Sequence, residues 1–246
     1  MASAPSNDSE VEHFIARWSD TELAERANKD LFLTELCDLL KLPHPDPAGP
    51  ASRENVDGGE LAGPRLHSDG RITVGKIDLY RRDRFVLEAK QTAASLRPEN
   101  QAPIETEFEL GLKLTASMKR DVDPYGKAML EARVQAERYA RNLPASEPPP
   151  PFVLVLDVGH SLEIYADFTQ KGKAFLPFPD ARSHRLLLSD LRQEKVRERL
   201  RAIWLDPSSL DPSKVAAVVT REAARHLAEL AKSFEADGHD PRFVAI

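Results

Sequence analysis

The run Phe152-Val-Leu-Val-Leu-Asp-Val158 constrains the fold more than any other segment. Side chains alternate across a strand, so a stretch that is apolar at both parities must be covered on both faces. That describes a central strand of a layered α/β domain. Gly159-His160 turns this strand into another, Leu162 to Phe168. Upstream, Ile72 to Tyr80 and Phe85 to Lys90 are short β-branched and aromatic runs on either side of Arg81-Arg82-Asp83-Arg84, a second hairpin. The segment 50–70 reads as a loop with one poor strand, and 92–124 as a polar, aperiodic insertion.

Helices frame the strands. Val11, Phe14, Ile15 and Trp18 recur at helical spacing, and Ser19-Asp20-Thr21-Glu22 is a capping box. It predicts a second helix whose apolar face carries Ala27, Leu31, Leu36 and Leu39, with Phe32 and Cys37 alongside. Gly126 to Asn142 predicts a third, with Met129, Val134 and Tyr139 among its apolar positions. Ser189 or Asp190 caps Leu191 to Trp204, and Ser213 caps a long amphipathic helix to Ala236, stopped by Gly238. The expected organisation is a polar leader over 1–10, an α/β core over 11–180, and a helical extension over 181–246.

Composition narrows the class. Hydrophobic residues at 41% of 246 positions suffice for a core, and a net charge of -6 excludes a polycationic nucleic-acid binder. The lone Cys37 excludes a disulfide framework and a cysteine-based metal cluster, and the seven histidines show no zinc-ligand spacing. The N-terminus lacks the basic and apolar regions of a signal peptide, and no run of about eighteen apolar residues occurs. The expectation is a soluble, cytoplasmic protein without a membrane partner.

The chemistry concentrates in Gly75-Lys-Ile-Asp-Leu-Tyr-Arg-Arg-Asp-Arg-Phe-Val-Leu-Glu-Ala-Lys90-Gln91. Val86, Glu88 and Lys90 share one strand face, and Phe85, Leu87 and Ala89 the other. A hairpin centred on Asp83 sets Asp78 directly across from Glu88. Like charges opposed on a sheet are unfavourable unless a cation lies between them, and two hard carboxylates with room for water and phosphate oxygens describe a Mg²⁺ site. Lys90 then orients or deprotonates the attacking water. An acid-x-Lys triplet is weak alone, since about two are expected by chance in such a chain. Its weight comes from ending an apolar strand opposite an acid. The competing interpretation is a solvated Glu/Lys pair on a surface strand with Asp78 at an edge.

Other residues are candidates around this centre. Gln135 and Tyr139 share a helix face, where they can bond the metal shell or a nucleic-acid backbone, or where Tyr139 is simply half-buried core. Glu35 points inward between Leu31 and Leu39, as an additional site carboxylate or as a rim acid. Arg81, Arg82 and Arg84 in the hairpin loop, with Lys113, Lys119 and Arg120 in the insertion, are candidate DNA-backbone contacts, or else a solvated turn.

Asp78, Glu88-Ala-Lys90 with Gln91, and Gln135-x-x-x-Tyr139 resemble the PD-(D/E)xK nuclease superfamily and the Gln-x-x-x-Tyr element of its RecB-like members. The stretches ERANKDLFLTELCDLL, GKIDLYRRDRFVLEAKQ, QAERYARNLPASEPPPPFVLVLDVGHSLEIYADF and LRAIWLDPSSLDPSKVAAVVTREAARHLAELAKSFEADGHDP are similar to the N-terminal part of MmeI-like type IIL (type IIG) restriction-modification enzymes. The resemblance implies a restriction-endonuclease-like central mixed sheet flanked by helices. It also implies Mg²⁺-dependent hydrolysis of double-stranded DNA, with Asp78 and Glu88 as metal-binding acids, Lys90 as the catalytic lysine, and Gln135 and Tyr139 as accessories. In such bacterial enzymes a helical connector, an adenine-specific methyltransferase using S-adenosylmethionine and a target-recognition domain follow. The alternative is an inactive nuclease fold kept as a docking domain for a methyltransferase.

Two departures accompany the resemblance. Glu54 to Ser68 lacks the aromatic-charged strand expected before the hairpin, and 92–124 has no counterpart. The chain has no Gly-rich loop after a strand, and Glu147-Pro-Pro-Pro-Pro-Phe152 lacks the Asn or Asp needed to hold a flipped adenine, so methylation by this segment alone is not expected. Phe243, Val244 and Ile246 look like the first turn of another helix, which predicts a truncated connector.

Overall fold

A computed structural model describes residues 7–19, 25–44, 62–66, 72–93, 97, 124–143 and 147–236. Two helices, α1 (Asn7–Ser19) and α2 (Glu25–Leu40), precede a small antiparallel pair, β1 (Ala62–Leu66) and β2 (Ile72–Lys76). The main sheet follows: β3 (Leu79–Arg81), β4 (Phe85–Lys90), then helix α3 (Pro124–Arg141), β5 (Phe152–Asp157), β6 (Ser161–Ala166), β7 (Leu176–Pro177) and β8 (Arg185–Leu187). Helices α4 (Glu194–Leu205) and α5 (Pro212–Ala236) end the described chain.

The main sheet runs β3-β4-β5-β6-β7, with β8 also pairing β6. Strands β4 and β5 are parallel and joined through α3, while the other pairs are antiparallel, so the sheet is mixed, as the family resemblance implies. Strand β5 is buried at every position. The alternation expected along β4 is present: Phe85, Leu87 and Ala89 join the core formed with α1, α2 and α4, whereas Val86 joins the core under α3. The sheet is therefore covered on both sides.

Several expectations require correction. The single strand expected over 72–80 is broken at Ile77-Asp78: its first half pairs with β1 in a separate sheet, and its second half pairs with β4. The poor strand of the 50–70 segment is β1, and it pairs with β2 in that separate sheet. Ser19 is the last residue of α1, where its hydroxyl donates to the Ile15 carbonyl, so it belongs to the first helix and does not cap the second from outside. Leu31 and Val134 are exposed at 44% and 47%. On α2 the expected Phe32, Leu36, Cys37 and Leu39 are buried, and Leu33 and Leu40 join them in place of Leu31.

The core also passes residue 180. Trp204 of α4 packs on Phe85 with ring centroids 4.3 Å apart, Val196, Leu200 and Ile203 are buried with it, and β8 belongs to the sheet. Polar ties hold α4 and the turn before it to the N-terminal helices: Arg192, two residues ahead of α4, forms a two-pronged bond with Glu12, and Arg201 Nε donates to the Leu40 carbonyl. Arg197 is buried, pairs with Glu194 and caps the Leu191 and Arg192 carbonyls. By contrast, the side chains of α5 from 212 to 230 are all exposed. Among the described residues no helix is long and apolar enough to cross a membrane.

Two turns fix the strand ends. Asp83 takes the left-handed conformation (φ 58°) between β3 and β4. Gly159, at φ 76° between β5 and β6, lies so close to the Trp18 carbonyl that a Cβ would sit 2.4 Å from its oxygen. That turn needs glycine for both its backbone and its space.

Candidate active site

The register of the first hairpin decides whether the acids meet. Leu79 pairs with Leu87, Tyr80 with Val86 and Arg81 with Phe85, a pairing centred on Asp83. One further step places Asp78 across from Glu88, as the sequence predicts. Asp78 itself sits in the bend just before β3, which frees its carboxylate from the ladder: Oδ2 accepts the Ala89 backbone N–H at 2.8 Å. The break that divides the expected strand is therefore what turns this acid toward the end of β4.

Glu88 is buried and reached from two sides. Lys90 Nζ donates to Glu88 Oε1 at 3.1 Å, and Gln135 Nε2 of α3 donates to the same oxygen at 2.6 Å. The Gln135 amide also lies 3.4 Å from the Tyr139 hydroxyl. The other carboxylate oxygen, Oε2, is buried without a hydrogen-bond partner. Burial first, and the neighbouring Asp78 charge second, push the Glu88 carboxyl up to about 7, with Lys90 and Lys29 pulling the other way. Burial and the second carboxylate thus outweigh the two nearby ammonium groups, and one Glu88 oxygen is left unsatisfied.

Sequence reasoning missed Lys29. Its ammonium donates to Asp78 Oδ1 at 2.8 Å, from the start of α2 and 49 positions away in the chain. A signal was present: Lys29, Leu33, Leu36 and Leu40 lie at helical spacing on the buried stripe, so this lysine points inward and needs an acid. Asp157 was missed as well. Fully buried at the end of β5, it accepts from the Thr92 backbone N–H at 2.8 Å and from the Thr92 hydroxyl at 2.6 Å, and lies 3.3 Å from His160 Nδ1. With the Val158 N–H bonded to the Lys90 carbonyl, it fixes the exit of β4 two residues beyond Lys90.

The structure does not bring every candidate to this place. Glu35 receives the Trp18 indole N–H at 2.9 Å and pairs with Arg17 at 3.0 Å, so its carboxylate faces α1. Gln91 follows Lys90 at half-buried depth. Arg82 is bound to Glu147 at 2.6 Å, and Arg84 donates to the Leu205 carbonyl. These hairpin-loop arginines begin β4 while Lys90 ends it, and at ~3.3 Å per strand residue the separation is about 20 Å. Arg81 is half-buried at the end of β3, paired with Phe85. Lys113, Lys119 and Arg120 lie outside the described residues.

Among the described residues no group of three or more His, Cys, Asp or Glu side chains is disposed to hold a metal. Asp78 and Glu88 thus form a two-carboxylate set, whose unpartnered Glu88 oxygen and mutual repulsion suit one hard divalent cation that keeps other positions for water or phosphate.

Neither the curated proteins nor the solved structures contain a match to the chain. The family model described as MmeI, N-terminal domain, matches residues 6–237, a span that includes the whole main sheet and every residue of the candidate site. The chain belongs to the MmeI N-terminal domain family.

Proposed function

We propose that the chain is the Mg²⁺-dependent endonuclease module of a bifunctional restriction-modification enzyme, hydrolysing phosphodiester bonds of double-stranded DNA. Its family is that of a restriction-enzyme-related region. The observation that carries the activity is Glu88, a buried carboxylate with one unsatisfied oxygen, flanked by Asp78 and bonded by Lys90. Methyl transfer with S-adenosylmethionine and target recognition belong to other domains, acting in cis or in trans.

Asp78 and Glu88 are the residues that would hold Mg²⁺. When bound, the cation supplies Lewis-acid stabilisation of charge developing on the phosphate and lowers the pKa of a water. Glu88 Oε1 fixes the Lys90 ammonium near the carboxylate pair, where it can hydrogen-bond the attacking water and neutralise the phosphate. Gln135 orients Glu88 in turn, and Tyr139 stands beside Gln135. Asp157 and Thr92 keep the strand end, and so Lys90, in place.

Incubation of the chain with supercoiled plasmid tests this reading. The expected result is nicking that requires Mg²⁺ or Mn²⁺ and disappears in Lys90→Ala with an unchanged melting temperature. A docking domain without catalysis predicts no nicking by the wild type under any divalent cation.

A further inference from the structure

Lys29 gives the site a second lysine, delivered by a different element from the strand that carries Glu88 and Lys90. Its side chain is only 13% exposed and ends 2.8 Å from Asp78 Oδ1; its other acidic neighbour, Asp30, lies 3.8 Å away and is 81% exposed. The two oxygens of Asp78 are thus used differently. Oδ2 is committed to the Ala89 N–H, which holds the acid against β4, and Oδ1 is held by a mobile type of group, an ammonium on a flexible stem. A cation shared by Asp78 and Glu88 competes with that ammonium for the Asp78 carboxylate, and it gains a like charge as a neighbour.

We propose that Lys29 is the resident counter-ion of Asp78, a positioning residue that competes with the divalent cation and thereby sets the affinity of the site. The inference rests on the cation-binding reading of Asp78 and Glu88. Without a divalent ion, two carboxylates face two ammonium groups, Lys29 on Asp78 and Lys90 on Glu88, and the pair tolerates its own repulsion. With the ion in place, Lys29 gives up Asp78 Oδ1. Its positive charge then remains beside the reacting phosphate's position without being a ligand. A lysine that served only to pin α2 to the sheet behaves oppositely, because its loss would loosen Asp78 and weaken cation binding.

Calorimetric titration with Mn²⁺ separates these cases. Lys29→Met, which keeps the stem and removes the charge, is expected to bind Mn²⁺ about tenfold more tightly than the wild type, and Lys29→Arg to stay within about twofold of it. Lys29→Gln carries the same expectation as Lys29→Met and serves if the methionine variant does not fold. Equal or weaker binding by the charge-removed variants, with a normal wild-type isotherm, overturns the inference and leaves the cation site standing. No Mn²⁺ binding by the wild type or by any variant removes the cation site itself, and the inference with it.

Discussion

The side-chain amide of Gln135 donates to Glu88 Oε1 at 2.6 Å, a bond between α3 and β4 across 47 positions of sequence. It converges on the same oxygen as the Lys90 ammonium, so one carboxylate atom carries two donors while its twin has none. Such an asymmetric carboxylate is oriented for a ligand on its bare side.

Removing that orienting bond should be felt in both stability and activity. Gln135→Ala is expected to lower the unfolding free energy by about 1–2 kcal/mol in urea titrations. It should reduce divalent-dependent nicking by about ten- to a hundredfold. Wild-type nicking in a folded Gln135→Ala variant would show that Glu88 needs no support from α3.

The raised Glu88 pKa gives stability a definite pH dependence. Below about 4.5 the carboxyl is protonated in both folded and unfolded chains. As pH climbs toward about 7 the unfolded chain ionises while the folded site keeps its proton, so stability falls through that interval and then levels off. The loss from this group is on the order of 3 kcal/mol. In a chelator, Glu88→Gln should lack this component and be more stable than the wild type near pH ~8. Thermal melts of both proteins across the interval check this; parallel curves would contradict it.

Asp157 offers a separate test of how Lys90 is held. Asp157→Ala strips the buried Thr92 N–H and hydroxyl of their acceptor, at an expected cost of about 2–4 kcal/mol. Thr92→Val removes one bond and should cost about 1 kcal/mol. If chemical denaturation ranks the two variants the other way, the carboxylate is not the clamp of the strand exit.

Arg82 and Arg84 are expected to be irrelevant to cleavage. Both are occupied at the opposite end of β4 from Lys90, by Glu147 and the Leu205 carbonyl. Arg82→Ala and Arg84→Ala should each leave the nicking rate within about twofold of wild type, whereas Lys90→Ala abolishes it. A large loss in either arginine variant, with stability unchanged, would assign the hairpin turn to the DNA surface after all.

Much of the fold was legible because its signals are local. FVLVLDV is apolar at both parities and is the fully buried β5; the polar turn around Asp83 sets a register that two residue numbers suffice to predict. The family resemblance, too, rested on contiguous stretches. What local pattern cannot express is a change of partner. Nothing in Ile72 to Tyr80 announces that the chain leaves one sheet and enters another at Asp78, because both halves have strand-like composition. The Lys29–Asp78 and Asp157–Thr92 contacts join residues 49 and 65 positions apart, and only the folded sheet brings them together. The arginines of the hairpin misled in the opposite sense: close in sequence to Glu88, they lie a strand's length away from it.

The account stands on a divalent cation held by Asp78 and Glu88, and anomalous diffraction from a Mn²⁺-soaked crystal tests it most directly. The prediction is an anomalous peak liganded by both carboxylates, with the Lys29 ammonium withdrawn from Asp78 Oδ1. No peak between the two acids, with the Lys29–Asp78 bond intact in a crystal that takes up Mn²⁺ elsewhere, would contradict it.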